Sequence, residues 1–183
     1  GEFATRVPGK TVITVFSDSK KKKQFHDGLV KLLEEADKLR QLPADNGIAQ
    51  VLDSFSFNNT AYVVTEALEG ETLAQRLKRD TTMPAAEAIA LILPVLNSLQ
   101  LVHSQGMIHG DICPENIFIT TDGRVKLINF AAYRTATTFH SRSLSVLIKS
   151  GYSAEEQYRS RSDQGSYTDV YSLGAVLYRM ITG

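Results

Sequence analysis

The sequence predicts an α+β fold in which a small antiparallel sheet holding one helix is followed by a mainly helical part. Three observations carry this. β-rich runs and turn residues dominate the first third, one long stretch of three- and four-residue apolar spacing interrupts them, and helical spacing takes over from Thr72. The 183 residues, 43% hydrophobic and 22% charged, suit one domain core or two small lobes and exclude a disordered tail. Twenty acidic and twenty basic residues cancel, so no global field favours nucleic acid or an anionic membrane as partner. The single cysteine, Cys113, excludes an internal disulfide and a cysteine-based zinc site, and fits a reducing compartment. No run of eighteen apolar residues and no signal-peptide pattern is present, which predicts a cytoplasmic chain without membrane insertion. Gly1-Glu2-Phe3 reads as a cloning scar and "RMITG" as an abrupt stop, so both ends are expected to be cuts in a longer, even membrane-anchored, parent.

The elements follow in order. Ala4–Val7 and Thr11–Phe16 are short β-rich runs joined by Pro8-Gly9, a hairpin. The lysines at 20–23 are expected to form a solvated loop leading into a helix. Phe25, Leu29, Leu32 or Leu33, Ala36 and Leu39 then mark one face of an amphipathic helix of about 17 residues, ended near Leu42-Pro43. "IAQVLDSFSFNNTAYVVTEAL" gives two strands around Asn58-Asn59, completing the small sheet. Helices are predicted over Thr72–Arg79 and Pro84–Gln105, the latter with Pro84 and Glu87 in its first turn. "IFIT" and "VKLIN" flank an Asp-Gly turn, a second hairpin. An irregular Ser/Thr-rich stretch over 135–145 precedes an apolar helix, Asp169–Thr182. His103 and Tyr62 sit in apolar runs and are expected to be packing residues.

Chemistry concentrates in "HGDICPEN". Phosphoryl transfer needs a carboxylate for the attacking hydroxyl, metal ligands near the phosphates and a cation to hold them. Asp111, at the end of an apolar helix, and Asn116, five residues later and before a strand, can project from one loop into one cleft. In this order and spacing, "LVHSQGMIHGDICPENIFI", "GRVKLINFAAYR", "SGYSAEEQY" and "TDVYSLGAVLYRMITG" together resemble the protein kinase family, in particular bacterial Ser/Thr kinases with eukaryotic-like domains, from about Thr5 to the last residue. The resemblance implies a protein kinase-like bilobal fold, truncated at both ends. Residues 1–68 would be a partial N-lobe without its glycine-rich loop, and 69–183 a partial C-lobe without its later helices.

Carried over residue by residue, Asp111 matches the catalytic base and Asn116 the metal ligand of the loop. Glu35, with Glu34 close in register, matches the helix glutamate that pairs with the strand lysine. Leu39, His109 and Phe130 resemble members of an apolar stack, and Asp169 the buried aspartate that holds the catalytic loop. Thr65, Glu66, Ala67 and Leu68 resemble gatekeeper and hinge, while Val12 and Phe118 take apolar positions above and below the adenine and are expected to narrow its slot. Glu156 matches a glutamate whose usual partner lies in later helices, and Ser150 a hydroxyl of the substrate loop.

Several positions depart from the pattern. The strand lysine is Thr14, and the D-F-G motif reads Asn129-Phe130-Ala131, where Ala131 lacks the glycine's freedom. The loop arginine is Gly110 and the loop lysine Cys113, so phosphorylation within 135–145 is expected to find no guanidinium there. Loss of the cation and of the carboxylate together implies a cost on the order of 3–6 kcal/mol in the transition state. In rate this is roughly a hundredfold to a ten-thousandfold or more. ATP and magnesium are the cofactors the resemblance implies, and these losses argue against tight binding of either. The expected function is therefore a pseudokinase, a signalling or scaffolding module with protein partners. An active Ser/Thr kinase with atypical metal binding, using a lysine from 20–23, is the alternative, although that run is expected to lead away from the site. A relative of the small-molecule phosphotransferases is a third reading, opposed by "SGYSAEEQY". The helix in "VYSLGAVLYRMI" is apolar nearly all round, so self-association through it is also expected.

Overall fold

A computed structural model of the chain describes residues 4–6, 8–15, 18–130, 148–158 and 164–183. The Ser/Thr-rich stretch 135–145, Ala131, Val7 and Phe16 lie outside the described residues. The described residues form two compact units. The first runs to Leu42 and includes Gln50–Glu66; the second takes Pro43–Ala49, Ala67–Phe130 and the residues from 148 onward.

In the first unit, strands β1 (Ala4–Arg6) and β2 (Ile13–Val15) pair antiparallel, with Thr5 opposite Thr14. Helix α1 (Ser19–Arg40) lies against β3 (Val51–Phe57) and β4 (Thr60–Thr65), which turn at Asn58 and Asn59, both at positive φ. Asparagine tolerates that conformation because its short polar side chain bonds locally. The expected single sheet is instead two separate two-stranded ladders. They are joined through Ile13, whose N–H donates to Asn58 O (3.0 Å) and whose carbonyl accepts from Asn59 Nδ2 (3.1 Å). The lysine run is also corrected. Lys20–Lys23 form the first turn of α1, which is 22 residues long. Four cations at a helix N-terminus oppose the macrodipole. Asp18 offsets this as N-cap, its carboxylate accepting from Lys21 N at 2.8 Å.

The second unit has a three-stranded antiparallel sheet in the order β5 (Gly70–Thr72), β6 (Ile117–Thr120), β7 (Val125–Leu127). Strand β5 is absent from the sequence-based reading. Its Gly70, at φ +146°, passes so close to β6 that an added Cβ would lie 2.1 Å from Ile119 O. Thr72 ends β5 and caps α2 (Leu73–Asp80), where Gln75 N–H donates to Thr72 Oγ1 (3.2 Å) and Gln75 Oε1 accepts from Thr72 N (2.8 Å). This reciprocal pair satisfies two otherwise orphaned groups. Helix α3 (Ala85–Ser104) packs on α4 (Ser166–Thr182) and on β7. By length and composition alone α3 suffices to cross a membrane, but its Ala88, Ile92, Val95 and Leu99 are buried in the core of this unit. The core also takes Leu73 and Leu77 from α2, Ile117 and Leu127 from the sheet, and Leu173, Val176 and Met180 from α4. Helix α4 starts a turn earlier than its apolar pattern, at Ser166, because Thr168 Oγ1 accepts from Gly165 N (3.2 Å) and so extends the first turn. Residues 43–49 join the sheet at one point, where Ala49 N–H donates to Leu127 O and Leu127 N–H to Gly47 O, both at 2.8 Å.

Candidate functional site

The loop that follows α3 is held from below by one side chain. Asp169, buried in the first turn of α4, accepts from His109 N–H (2.8 Å, Oδ2) and Gly110 N–H (2.7 Å, Oδ1). His103 Nε2 also lies 2.8 Å from Asp169 Oδ2. His103 is thus a polar partner, correcting its expected packing role, whereas Tyr62 does pack, its ring stacked on Phe55 at 5.4 Å. His109 is wholly buried and meets Phe130 edge to face, with ring centroids 4.3 Å apart. Its Nε2 donates to Ile128 O (3.1 Å) and its Nδ1 accepts from Asp111 N–H (3.2 Å). One nitrogen donates and the other accepts, so the ring is neutral, consistent with burial lowering its pKa. Gln157 holds the far side, donating to Gly110 O at 2.7 Å.

Three of the candidate residues meet here. The turn Pro114–Asn116 closes the loop and feeds β6, and it buries Asn116. Asn116 Nδ2 donates to both Asp111 O (2.7 Å) and Asp111 Oδ2 (2.8 Å). Its Oδ1 in turn accepts from Asn129 Nδ2 (2.9 Å). Asn129, just after β7, adopts φ +61°. The result is a side-chain relay, Asn129 to Asn116 to Asp111, with the carboxylate at its acceptor end. Burial raises the Asp111 carboxyl above its usual range, and the hydrogen bond from Asn116 and the nearby Lys149 offset only part of that. Cys113 is fully buried, and burial pushes its thiol up to about 12.

Phe118 and Leu68 are half-buried residues of the second unit, Phe118 on β6 opposite Thr72. Glu156 accepts from Thr168 Oγ1 at 2.7 Å, a partner within the chain itself. The other candidates belong to the first unit. Thr14 is exposed on β2 and Val12, just before it, is 46% exposed. Both line a cleft of ≈ 680 Å³ with Lys22, Phe25 and Leu29. Of the lysine run, Lys22 lines this first-unit cleft. Glu35 is half-buried on α1 and Glu34 exposed. Thr65 ends β4, and Glu66 pairs with Gln50 twice, its N–H donating to Gln50 O (2.9 Å) and its Oε1 accepting from Gln50 N–H (2.7 Å). Sequence reasoning missed His103, Gln157 and Lys149. His103 sits in an apolar run, Lys149 just before "SGYSAEEQY" and Gln157 within it, and nothing local in these stretches says that the side chains reach the loop or its aspartate.

Comparison with known proteins gives the family and the fold. The protein kinase domain family profile matches residues 8–183. A probable serine/threonine-protein kinase of Clostridium perfringens (strain 13 / Type A) is 34% identical over 157 residues, covering 82% of this chain and 22% of the relative. Serine/threonine-protein kinase PknL of Mycobacterium tuberculosis (strain ATCC 25618 / H37Rv) is 33% identical over 140 residues, covering 76% of this chain and 35% of the relative. The chain thus spans between a fifth and about a third of the length of these relatives. Among solved structures, the apo form of PpkA-294 superposes with a TM-score of 0.77 at 28% identity, covering 100% of this chain and 63% of that one. With the fold, the loop and its buried aspartate in place, the chain belongs to the protein kinase domain family.

Proposed function

We propose that the domain is a pseudokinase, a signalling or scaffolding module acting through protein partners with weak or no phosphotransfer. The observation that carries this is the relay from Asn129 to Asn116. Magnesium favours carboxylate and water oxygens in a near-octahedral set. Asp111, Asn116 and Asn129 offer one carboxylate and two neutral amides, and the Asn116 oxygen is already taken by the Asn129 N–H. Such a donor set does not fit a hard divalent cation. Thr14 likewise brings a hydroxyl where the family carries an ammonium, so the phosphates would lack two of their usual positive partners.

The test is phosphotransfer by the full-length protein and its Thr14→Lys/Asn129→Asp variant. The unmodified protein is expected to transfer little or no phosphate. The double variant is expected to gain magnesium-dependent ATP binding and at least about a hundredfold in rate, the scale of such electrostatic groups. Turnover of unmodified protein near 1 s⁻¹, roughly the lower end for working kinases, would sink the proposal. The alternative, an active Ser/Thr kinase with atypical metal binding, is favoured by Lys22 sharing the cleft of Thr14 and by the retained Asp111. It predicts turnover that is lost in Lys22→Ala.

A further inference from the structure

The loop around Asp111 is short of positive charge. Asp111 and Glu115 are both acidic, and the buried His109 is neutral. Among the described residues, the full cation that acts on Asp111 comes from Lys149, 38 positions later in the chain (149 minus 111). Lys149 Nζ lies 3.3 Å from Glu115 Oε2 and also meets the Cys113 sulfur. Its backbone is pinned by a tight turn. The Lys149 N–H donates to Ser153 Oγ (3.0 Å), and its carbonyl accepts from Tyr152 N–H (3.0 Å) and Ser153 N–H (2.9 Å). Burial works against the charge on Lys149, yet the acidic groups around it hold the amine above its ordinary value. Of these groups the Cys113 sulfur contributes most, followed by Glu115 and Asp111. The Lys149 and Glu115 side chains remain 36% and 54% exposed, so a ligand can reach the ammonium and Glu115 can swing aside.

We propose that Lys149 is an anion-binding residue that receives the terminal phosphoryl group of a nucleoside triphosphate beside Asp111, supplying from the segment 148–153 the cation that the loop lacks at Cys113. A half-exposed, single-contact ion pair is weak and readily exchanged. A phosphate offers the same ammonium more charge and three acceptor oxygens. Without Lys149, that phosphate would face two carboxylates and two amides only. The inference rests on reading Asp111 and Asn116 as the kinase-like site, and it holds whether or not phosphate is then transferred. The competing role for Lys149 is a strut that ties the segment to the loop through Glu115.

Titration calorimetry with ATP and with ADP, each with and without magnesium, separates the two on the full-length protein. Lys149→Ala is expected to weaken ATP binding by at least about tenfold, the scale of one charge-assisted hydrogen bond, and ADP binding by less than about threefold. Adding Cys113→Lys in the Lys149→Ala background is expected to bring ATP affinity back to within about threefold. Glu115→Gln, which removes the strut and keeps the ammonium, should leave ATP binding equal or tighter. If Lys149→Ala lowers the melting temperature, Glu115→Gln decides: a strut predicts the same loss of binding in both variants. The proposal is overturned by unchanged ATP affinity in Lys149→Ala, by equal losses for ATP and ADP, by no recovery with Cys113→Lys, or by no measurable ATP binding in the unmodified protein. Phosphate transfer measured on the same samples reports separately. Turnover by the unmodified protein sinks the pseudokinase reading and leaves the role of Lys149 intact.

Discussion

Asp169 fixes the start of the loop from outside it. Its two oxygens accept the buried N–H groups of His109 and Gly110, and one of them also meets His103. Asp169→Ala strands both backbone donors, each at a cost of about 1–3 kcal/mol. Urea denaturation of the variant is therefore expected to show a loss of roughly 2–6 kcal/mol, while an unchanged midpoint would contradict the role. At this scale the sequence was informative where residues lie close together. Asp111 and Asn116 are five apart, and their mutual hydrogen bond follows from a loop that closes over one 3-10 turn. It was uninformative where partners lie far apart. His103 sits in an apolar run that hides a polar partner 66 positions away, and Lys149 gives no local sign that it reaches Glu115.

Among the elements, those with a full period could be read and those without one could not. Helices α2 and α3 fall within a residue of their expected bounds because several turns of apolar spacing define each. Strand β5 has three residues, too few to show alternation, and exists through its pairing with β6. Helix α1 begins before its apolar stripe, since Asp18 rather than hydrophobic burial starts it. Gly70 makes the tightness of β5 testable. A methyl group there meets backbone, at 2.1 Å from Ile119 O, in a conformation that side chains rarely adopt. Gly70→Ala is expected to cost at least about 1–3 kcal/mol and to lower the melting temperature, whereas Gly123→Ala, with open space around it, should cost less.

For the whole molecule, the distribution of apolar surface on α4 matters most. Leu173, Val176 and Met180 enter the core, while Tyr167, Val170, Tyr171 and Tyr178 stay more than half exposed. Those side chains add little to the fold of the 183 residues themselves. Tyr171→Lys/Tyr178→Lys is expected to change unfolding free energy by no more than about 0.5 kcal/mol per site and, for this chain alone, to shift any self-associated species toward monomer in light scattering. A large loss of stability would mean that the stripe supports the core. The two-unit fold, the relay and the buried aspartate all stand together with an amide at position 129. The left-handed backbone at Asn129 bears on how such a chain changes over generations. Asparagine and aspartate are among the few non-glycine residues that visit φ near +60° routinely. Their side chains have the same shape and their codons differ by a single base. Exchange between them therefore meets no barrier of backbone conformation at this position.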